Sequence, residues 1–182
     1  MLNLFKNKDA AIKVIDKITF CESAKLEAML AQWNIDRNTA FVFWFDDSLR
    51  LAKSFFAGQT IEPVTLLSIK EAGNQQLEGK KPFFAEHYPL LSIEEDFYKK
   101  MKIKVLTIFS CLNEPLIKLT GAGKIIKAVQ RMGMMGTEVI QHKMISKAIR
   151  NTQEKIEKMV LINSSAASQK EWLEKNFTYS NA

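Results

Sequence analysis

Cysteine is scarce in this chain of 182 residues, which holds only Cys21 and Cys111. Two thiols build neither a disulfide framework nor a four-thiolate metal site. Each stands beside an apolar stretch, where a reduced cysteine packs as a small hydrophobe. Histidine is equally rare, with His87 and His142 alone. Glycine and proline number 7 and 4, too few for a collagen-like or low-complexity chain. No apolar run approaches the ~18 residues of a membrane span. The first nine residues, MLNLFKNKD, put charges where a signal peptide has its apolar core and offer no small-residue cleavage site. An intracellular, soluble and cytoplasmic protein is expected.

What is present is a globular composition. Hydrophobic residues make up 47% and charged residues 25%, enough apolar surface to offset the entropy of ordering. The length suits one domain, or one with a small appendage. The net charge of +6 is uneven: residues 1–117 carry 15 basic and 15 acidic side chains, residues 118–182 carry 11 and 5. Such asymmetry marks an anionic or nucleic-acid partner in some proteins, although +6 is also ordinary solubility charge.

Short apolar runs alternate with amphipathic stretches. Residues 15–20 read as a strand and residues 22–34 as a helix through Leu26, Met29, Leu30 and Trp33, whose spacing is helical. Residues 40–45, AFVFWF, form a continuous apolar strand of the kind buried on both faces of a parallel sheet. Asp46, Asp47 and Ser48 then offer N-cap chemistry to a helix ending at Gly58. Residues 63–67, 82–86 and 103–109 read as further strands. Helices are expected over 69–77 and 93–101, the latter opened by Ser92 with Glu94 and Glu95 in its first turn. Beyond residue 109 the chain reads as helix almost throughout. The alternation predicts an α/β three-layer sandwich with a mostly parallel sheet, followed by a helical C-terminal extension. The strand tips fall near 45–46, 68, 86 and 110, and ligands of such sheets bind outside the carboxyl ends.

Chemistry-bearing motifs are few. The TGAGK run at 120–124 ends like a phosphate loop, but a Walker loop needs glycine where Lys118 stands, serine or threonine where Ile125 stands, and a preceding strand. Residues 113–119 look helical, so the run reads as a glycine hinge between helices. Neither histidine has metal-ligand neighbours at suitable spacing, since Glu86 and His87 point to opposite faces of a strand. A residual enzyme built on His87 beside Cys111 at neighbouring strand ends is a fold-level alternative. The acidic pairs at 46–47 and 94–96 read as helix capping. A C-terminal helix from 143 to about 161 carries Ile145, Ala148, Ile149, Thr152, Ile156 and Met159 on one stripe and Lys143, Lys147 and Arg150 on another. It lacks aromatic residues to stack nucleobases. Whether its apolar stripe docks on the chain's own sheet or on another chain is left open.

One segment is specific. The run RMGMMGTEVIQH at 131–142 and its continuation to 155 resemble the end of the second motor domain in the SecA preprotein-translocase ATPase family. Gly133, Met134, Glu138, Ile140, His142, Ile145, Lys147, Ala148, Ile149, Gln153, Lys155 and Glu157 match that pattern in register. Residues 108–117 resemble the family's last motor strand and following helix, 124–130 the helix before the Gly-Met pair, and 16–25 the entry of the domain. The likeness runs from about 15 to 158, strongest in the last third.

The departures bear on function. The family's Walker loop, its AGRGTD loop and its QLRGRSGRQGD arginine motif are absent from the sequence. Where the approach to that arginine motif is most similar, at 85–100, the arginines give way to Pro89, Leu90, Leu91 and Glu95, which cannot supply arginine's planar charge to a phosphoryl group. The resemblance therefore implies a degenerate RecA-like motor domain over 1–140, of P-loop NTPase or helicase C-terminal-domain type, with a helical extension over 141–182. It implies a non-catalytic pseudoenzyme with no catalytic, cofactor-binding or metal residues, acting as an interaction or accessory module in preprotein translocation. A protein partner is expected, either the SecA motor, the export machinery or a second copy. Lys143, Lys147 and Arg150 are the candidate partner-binding residues. Peripheral membrane association is compatible with this reading. The alternative is a domain that binds nucleotide or nucleic acid without hydrolysis, through the basic last third.

Overall fold

The computed structural model describes residues 12–59, 62–121 and 138–177. Five strands, β1 (Lys13–Thr19), β2 (Thr39–Phe43), β3 (Thr65–Ser68), β4 (Lys81–Phe84) and β5 (Val105–Cys111), form one sheet in the order β1-β5-β4-β2-β3. Every pairing is parallel, from Lys13↔Val105 at one edge to Phe43↔Ser68 at the other. Among the described residues the helices are α1 (Glu22–Ile35), α2 (Asp46–Ala57), α3 (Leu91–Lys100), α4 (Pro115–Leu119), α5 (Lys143–Met159) and α6 (Gln169–Asn176). They cover both faces, which is the expected α/β sandwich with C-terminal helices.

The alternation of side chains along each strand divides the core in two. Phe41 and Phe43 of β2 join Leu26, Met29 and Trp33 of α1 and Leu49, Ala52 and Phe56 of α2 on one face. Val42, between them, points the other way to Phe84, Ile108 and Tyr98 of α3. All five β2 residues are buried, as its unbroken apolar run requires. A third cluster lies beyond the strands' carboxyl ends. There Ile18, Phe45 and Leu90 meet Leu116 and Ile117 of α4, Ile145, Ile149 and Ile156 of α5, and Trp172 and Leu173 of α6. The apolar stripe of α5 thus docks on the chain's own sheet, and no part of it needs another chain for cover except Met159, which is 52% exposed. Gln153, 1% exposed, takes the stripe position that the sequence reading gave to Thr152.

Several local expectations are corrected. Residues 69–80 form turns, not a helix. The Ser68 amide and hydroxyl both donate to the Glu71 carboxylate at 2.8 Å, and Gly79 takes φ +69°, where glycine alone is unstrained. The N-cap positions of α2 and α3 fall on Phe45 and Leu90, neither with a side-chain cap, so Asp46, Asp47, Ser48 and Ser92 do not serve as N-caps. Side-chain caps are found instead on α5 and α6: His142 Nδ1 accepts from the Met144 amide at 3.2 Å, and Ser168 Oγ accepts from the Glu171 amide at 3.2 Å. Nor is the chain after β5 helical throughout: Ile140 makes an antiparallel bridge to Ile18 with hydrogen bonds of 2.8 and 2.9 Å, covering part of the outer edge of β1. The helix expected before the TGAGK run is α4, but residues 122–124 of that run, and 131–137 of the segment resembling SecA, lie outside the described residues. No described helix is long and apolar enough to cross a membrane.

Because Trp172 is fully buried in the cluster that also holds Ile18 and Phe45, Trp172→Ala should destabilise the whole fold. The expected loss is about 3–5 kcal/mol, seen as one cooperative urea transition. Two separate transitions would mean that the C-terminal helices fold on their own.

Candidate functional site

The carboxyl ends of the strands are where an open parallel sheet binds ligands. Here they hold two buried polar clusters. In the first, His87, just past β4, lies between two carboxylates. Its Nε2 is 2.8 Å from Asp16 Oδ1 on β1, and its Nδ1 is 3.1 Å from Glu94 Oε1 on α3. All three residues are 2–3% exposed. Burial disfavours the charged imidazole, yet Glu94 and Asp16 outweigh it and hold His87 well above the ordinary histidine range. Burial likewise pushes Asp16 up, but the His87 charge and hydrogen bonds from His87 and Ser146 leave it below the usual carboxylate range. Both ring nitrogens therefore donate. Glu94 also accepts from the Tyr88 amide at 2.6 Å and from Gln153 Nε2 of α5 at 3.0 Å.

The C-terminal helices reach into this cluster through two amides. Gln153 Nε2 donates to the Tyr88 carbonyl at 2.7 Å. Gln169 Nε2 of α6 donates to the His87 carbonyl at 2.9 Å, while its Oε1 accepts from the Leu116 amide at 2.8 Å. Glutamine, with a donor and an acceptor on one planar group, suits such bridging.

The second cluster centres on Lys25 of α1, which is 2% exposed. Its ammonium lies 2.8 Å from Glu114 and 3.0 Å from Glu22. Burial works against the charge, but these two carboxylates raise the lysine above its ordinary range. Nearby, Glu86 accepts from the Phe45 amide at 2.9 Å and from Ser48 Oγ at 2.6 Å. Burial pushes this carboxyl up to about 7, against the opposing pull of Lys25 and those hydrogen bonds. Glu22, Cys111 and Glu114 place three ligand-type atoms within 4.8 Å of one another. The Lys25 ammonium already supplies positive charge between the carboxylates, and burial together with Glu114 pushes the Cys111 thiol up to about 12.

His87 and Cys111 therefore belong to different clusters, and the pairing of the two as a catalytic couple finds no geometry. Cys111 is a packed thiol as the sequence suggests. Cys21 is only partly buried, with its Sγ 3.1 Å from Ser23 Oγ, so the reading of it as a packed hydrophobe is corrected. The acidic run 94–96 is also reassigned. Glu94 bridges His87, Tyr88 and Gln153, and Glu95 lies 3.1 Å from Arg150.

Lys143, Lys147 and Arg150 are exposed along α5. Lys147 and Arg150 line a cavity of about 230 Å³ whose floor is Asp16, His87 and Glu94. That is below the ~300 Å³ at which small-molecule sites begin, and its floor groups are already partnered. Arg150 is engaged by Glu95 and Glu154, each at 3.1 Å.

Sequence reasoning missed Asp16, Lys25, Glu94, Glu114, Gln153 and Gln169. For three of them a signal was there. Asp16 alternates with Val14 and Ile18 on one strand face, Lys25 precedes Met29 by one helical turn, and Gln153 falls between Ile149 and Ile156. A polar residue at a core position of either period is a buried polar residue.

Two outcomes follow. Removing one partner of the buried pair, as in Lys25→Ala, should cost about 3–5 kcal/mol, while Lys25→Met with Glu114→Leu should recover most of it; urea titration measures both. Glu86 supplies a pH test. A carboxyl raised from 4.5 to about 7 adds stability that is complete below pH ~4.5 and lost as pH rises through ~7. Glu86→Gln should therefore gain on the wild type from pH 5 to pH 8, by up to about 3 kcal/mol at ~1.4 kcal/mol per pKa unit. A pH-independent difference would show that Glu86 is ionised throughout.

No family profile matches the chain. A 51-residue stretch, 28% of the chain, is 41% identical to protein translocase subunit SecA of Clostridium beijerinckii. A 46-residue stretch, 25% of the chain, is 48% identical to protein translocase subunit SecA of Christiangramia forsetii. These stretches span only 6% and 4% of the relatives' own lengths. The chain thus carries a short SecA-related region within a parallel α/β sandwich.

Proposed function

We propose that this protein is a non-catalytic module related to preprotein translocation, which acts by binding a protein partner of the export apparatus. The observation that carries this reading is the chain's own cover over the carboxyl ends of β1, β4 and β5, which, among the described residues, leaves only a socket of about 230 Å³ at the tips of β2 and β3. Ile145, Ile149 and Trp172 pack over the space where a sheet of this class takes its ligand, and Gln153 and Gln169 bond the backbone that would line it. Among the described residues, the cation deepest at the strand ends, Lys25, is already paired with two carboxylates. It is not available to a phosphate. The SecA-related stretch supports the link to protein export. Lys143 and Lys147 on the outer face of α5 are the proposed contact residues, and Arg150, held by Glu95 and Glu154, contributes least. That engagement also weighs against the nucleic-acid alternative, which depends on free phosphate-binding cations.

The purified chain should show no ATP turnover and no shift in Tm with ATP and magnesium. It should also enrich the SecA motor from its own cell over a charge-matched control, and Lys143→Glu with Lys147→Glu should abolish that enrichment. Turnover, or a ligand-induced Tm increase, would refute the non-catalytic reading. Absence of enrichment would refute the partner.

A further inference from the structure

The register of β1 on β5 sets Thr19 opposite Cys111, so the start of α1 and the turn into α4 meet where the two strands end. Glu22 opens α1, Cys111 closes β5 and Glu114 stands just before α4. Each offers one ligand-type atom, and the three atoms lie within 4.8 Å of one another.

Lys25 engages only one oxygen of each carboxylate. Its ammonium lies 3.0 Å from Glu22 Oε1 and 2.8 Å from Glu114 Oε1, and the Cys111 amide donates to that same Glu114 oxygen at 3.1 Å. The other two oxygens remain. Glu22 Oε2 accepts from the Cys111 thiol at 3.5 Å. Glu114 Oε2 is buried with no hydrogen-bond partner among the described residues, on a residue only 7% exposed. A bare acceptor at that depth is costly, and native structures rarely leave one without a water or an ion.

We propose that Glu22, Cys111 and Glu114 form a binding site for a zinc-class divalent cation, with water in the fourth position. Sulfur beside two carboxylate oxygens suits a borderline-soft ion, and the sulfur selects against magnesium and calcium, which take oxygen alone. Three protein ligands with one open position is an established zinc arrangement. The spacing agrees. Zn–S and Zn–O bonds of ~2.3 and ~2.0 Å at tetrahedral angles set sulfur and oxygen about 3.5 Å apart. The Cys111–Glu22 edge already has 3.5 Å, and the other edges have only to contract around the ion. Charge agrees too. Two carboxylates against one ammonium leave a single negative charge. As the Zn–S bond forms, the S–H bond breaks and its proton leaves to solvent past Glu22, whose side chain is 37% exposed. The ion's two charges, less the thiolate's one, then bring the cluster to neutrality. Ligation coupled to proton release is the usual way a protonated thiol takes up metal. Lys25 keeps its place, holding the oxygens that the ion does not use and so orienting both carboxylates. This site is independent of the link to protein export.

The test is a cobalt(II) titration of the reduced full chain without oxygen, read by absorption. The expected result is one cobalt per chain, with a near-ultraviolet sulfur-to-cobalt charge-transfer band and the intense visible bands of a tetrahedral ion. Zinc added to the metal-free chain should bind with release of about one proton per ion, and it should displace the cobalt. Cys111→Ser should abolish the charge-transfer band, and Cys21→Ser should leave it. Glu22→Gln, on the exposed side of the site, should weaken zinc at least about tenfold, the smallest loss usual even for groups that only orient a ligand. Its far-UV circular dichroism spectrum should be unchanged, so the outcome does not depend on Cys111→Ser folding. Absence of the charge-transfer band, a band lost in Cys21→Ser but kept in Cys111→Ser, or a zinc affinity indifferent to Glu22→Gln overturns the proposal. So does magnesium or calcium competing equally with cobalt.

Discussion

Three consecutive residues at the carboxyl end of the central strand, Glu86, His87 and Tyr88, each tie a different part of the molecule to β4. Glu86 accepts from the Phe45 amide and Ser48 and so anchors the start of α2. His87 reaches Asp16 on β1 and Glu94 on α3. Tyr88 packs its ring between Phe45 and Trp172, with centroids 5.7 and 5.6 Å away, while its carbonyl receives Gln153. An extended backbone sends successive side chains to alternate sides, and only at a strand end, where the sheet no longer separates the two sides, do neighbouring residues serve three directions at once. Closure of the strand ends depends on this short segment.

The electrostatics of the segment follow from burial. An ion taken from water costs several kcal/mol, and the cost is recovered only with close partners and filled hydrogen-bond sites. His87 meets that condition, with a carboxylate at each ring nitrogen. Glu86 does not. Lys25 is claimed by Glu114 and Glu22, so Glu86 retains hydrogen bonds without a dedicated counter-charge, and its proton is held to about pH 7. The two neighbours thus respond oppositely to the same surroundings: the histidine keeps a charge that burial disfavours, and the carboxyl surrenders one.

Periodicity made the framework legible because the framework is apolar. The unbroken run of β2, the stripe of α5 and the strand–helix alternation are patterns of burial, and burial is what hydrophobicity records. The failures are equally physical. Residues 69–80 have helical composition, but a side-chain bond from Ser68 to Glu71 and the turn at Gly79 capture the backbone first. The caps of α2 and α3 were misassigned because Glu86 and Glu157 compete for the groups that look like caps: Ser48 turns to Glu86, and Ser92 to Glu157. The clusters draw on residues scattered over strands, helices and their connections, so no local spacing reveals them. Asp16, Lys25 and Gln153 were within reach, as polar residues standing at apolar positions.

The SecA-related stretch and the closed strand ends fit together under the proposed reading. A parallel sheet leaves amide groups and a crevice at its carboxyl end, where apolar side chains are either covered or exposed to water. Ile145, Ile149 and Trp172 pack over it, and Lys25 and His87 at its floor each lie between two carboxylates. Once α5 is committed inward by Ile145, Ile149, Gln153 and Ile156, only its outer residues and the loop that follows remain to meet other molecules. Of these, Lys143 and Lys147 offer charge, while exposed Leu161 and Ile162 offer apolar contact. The chemistry left on the surface of the C-terminal helices is therefore that of association.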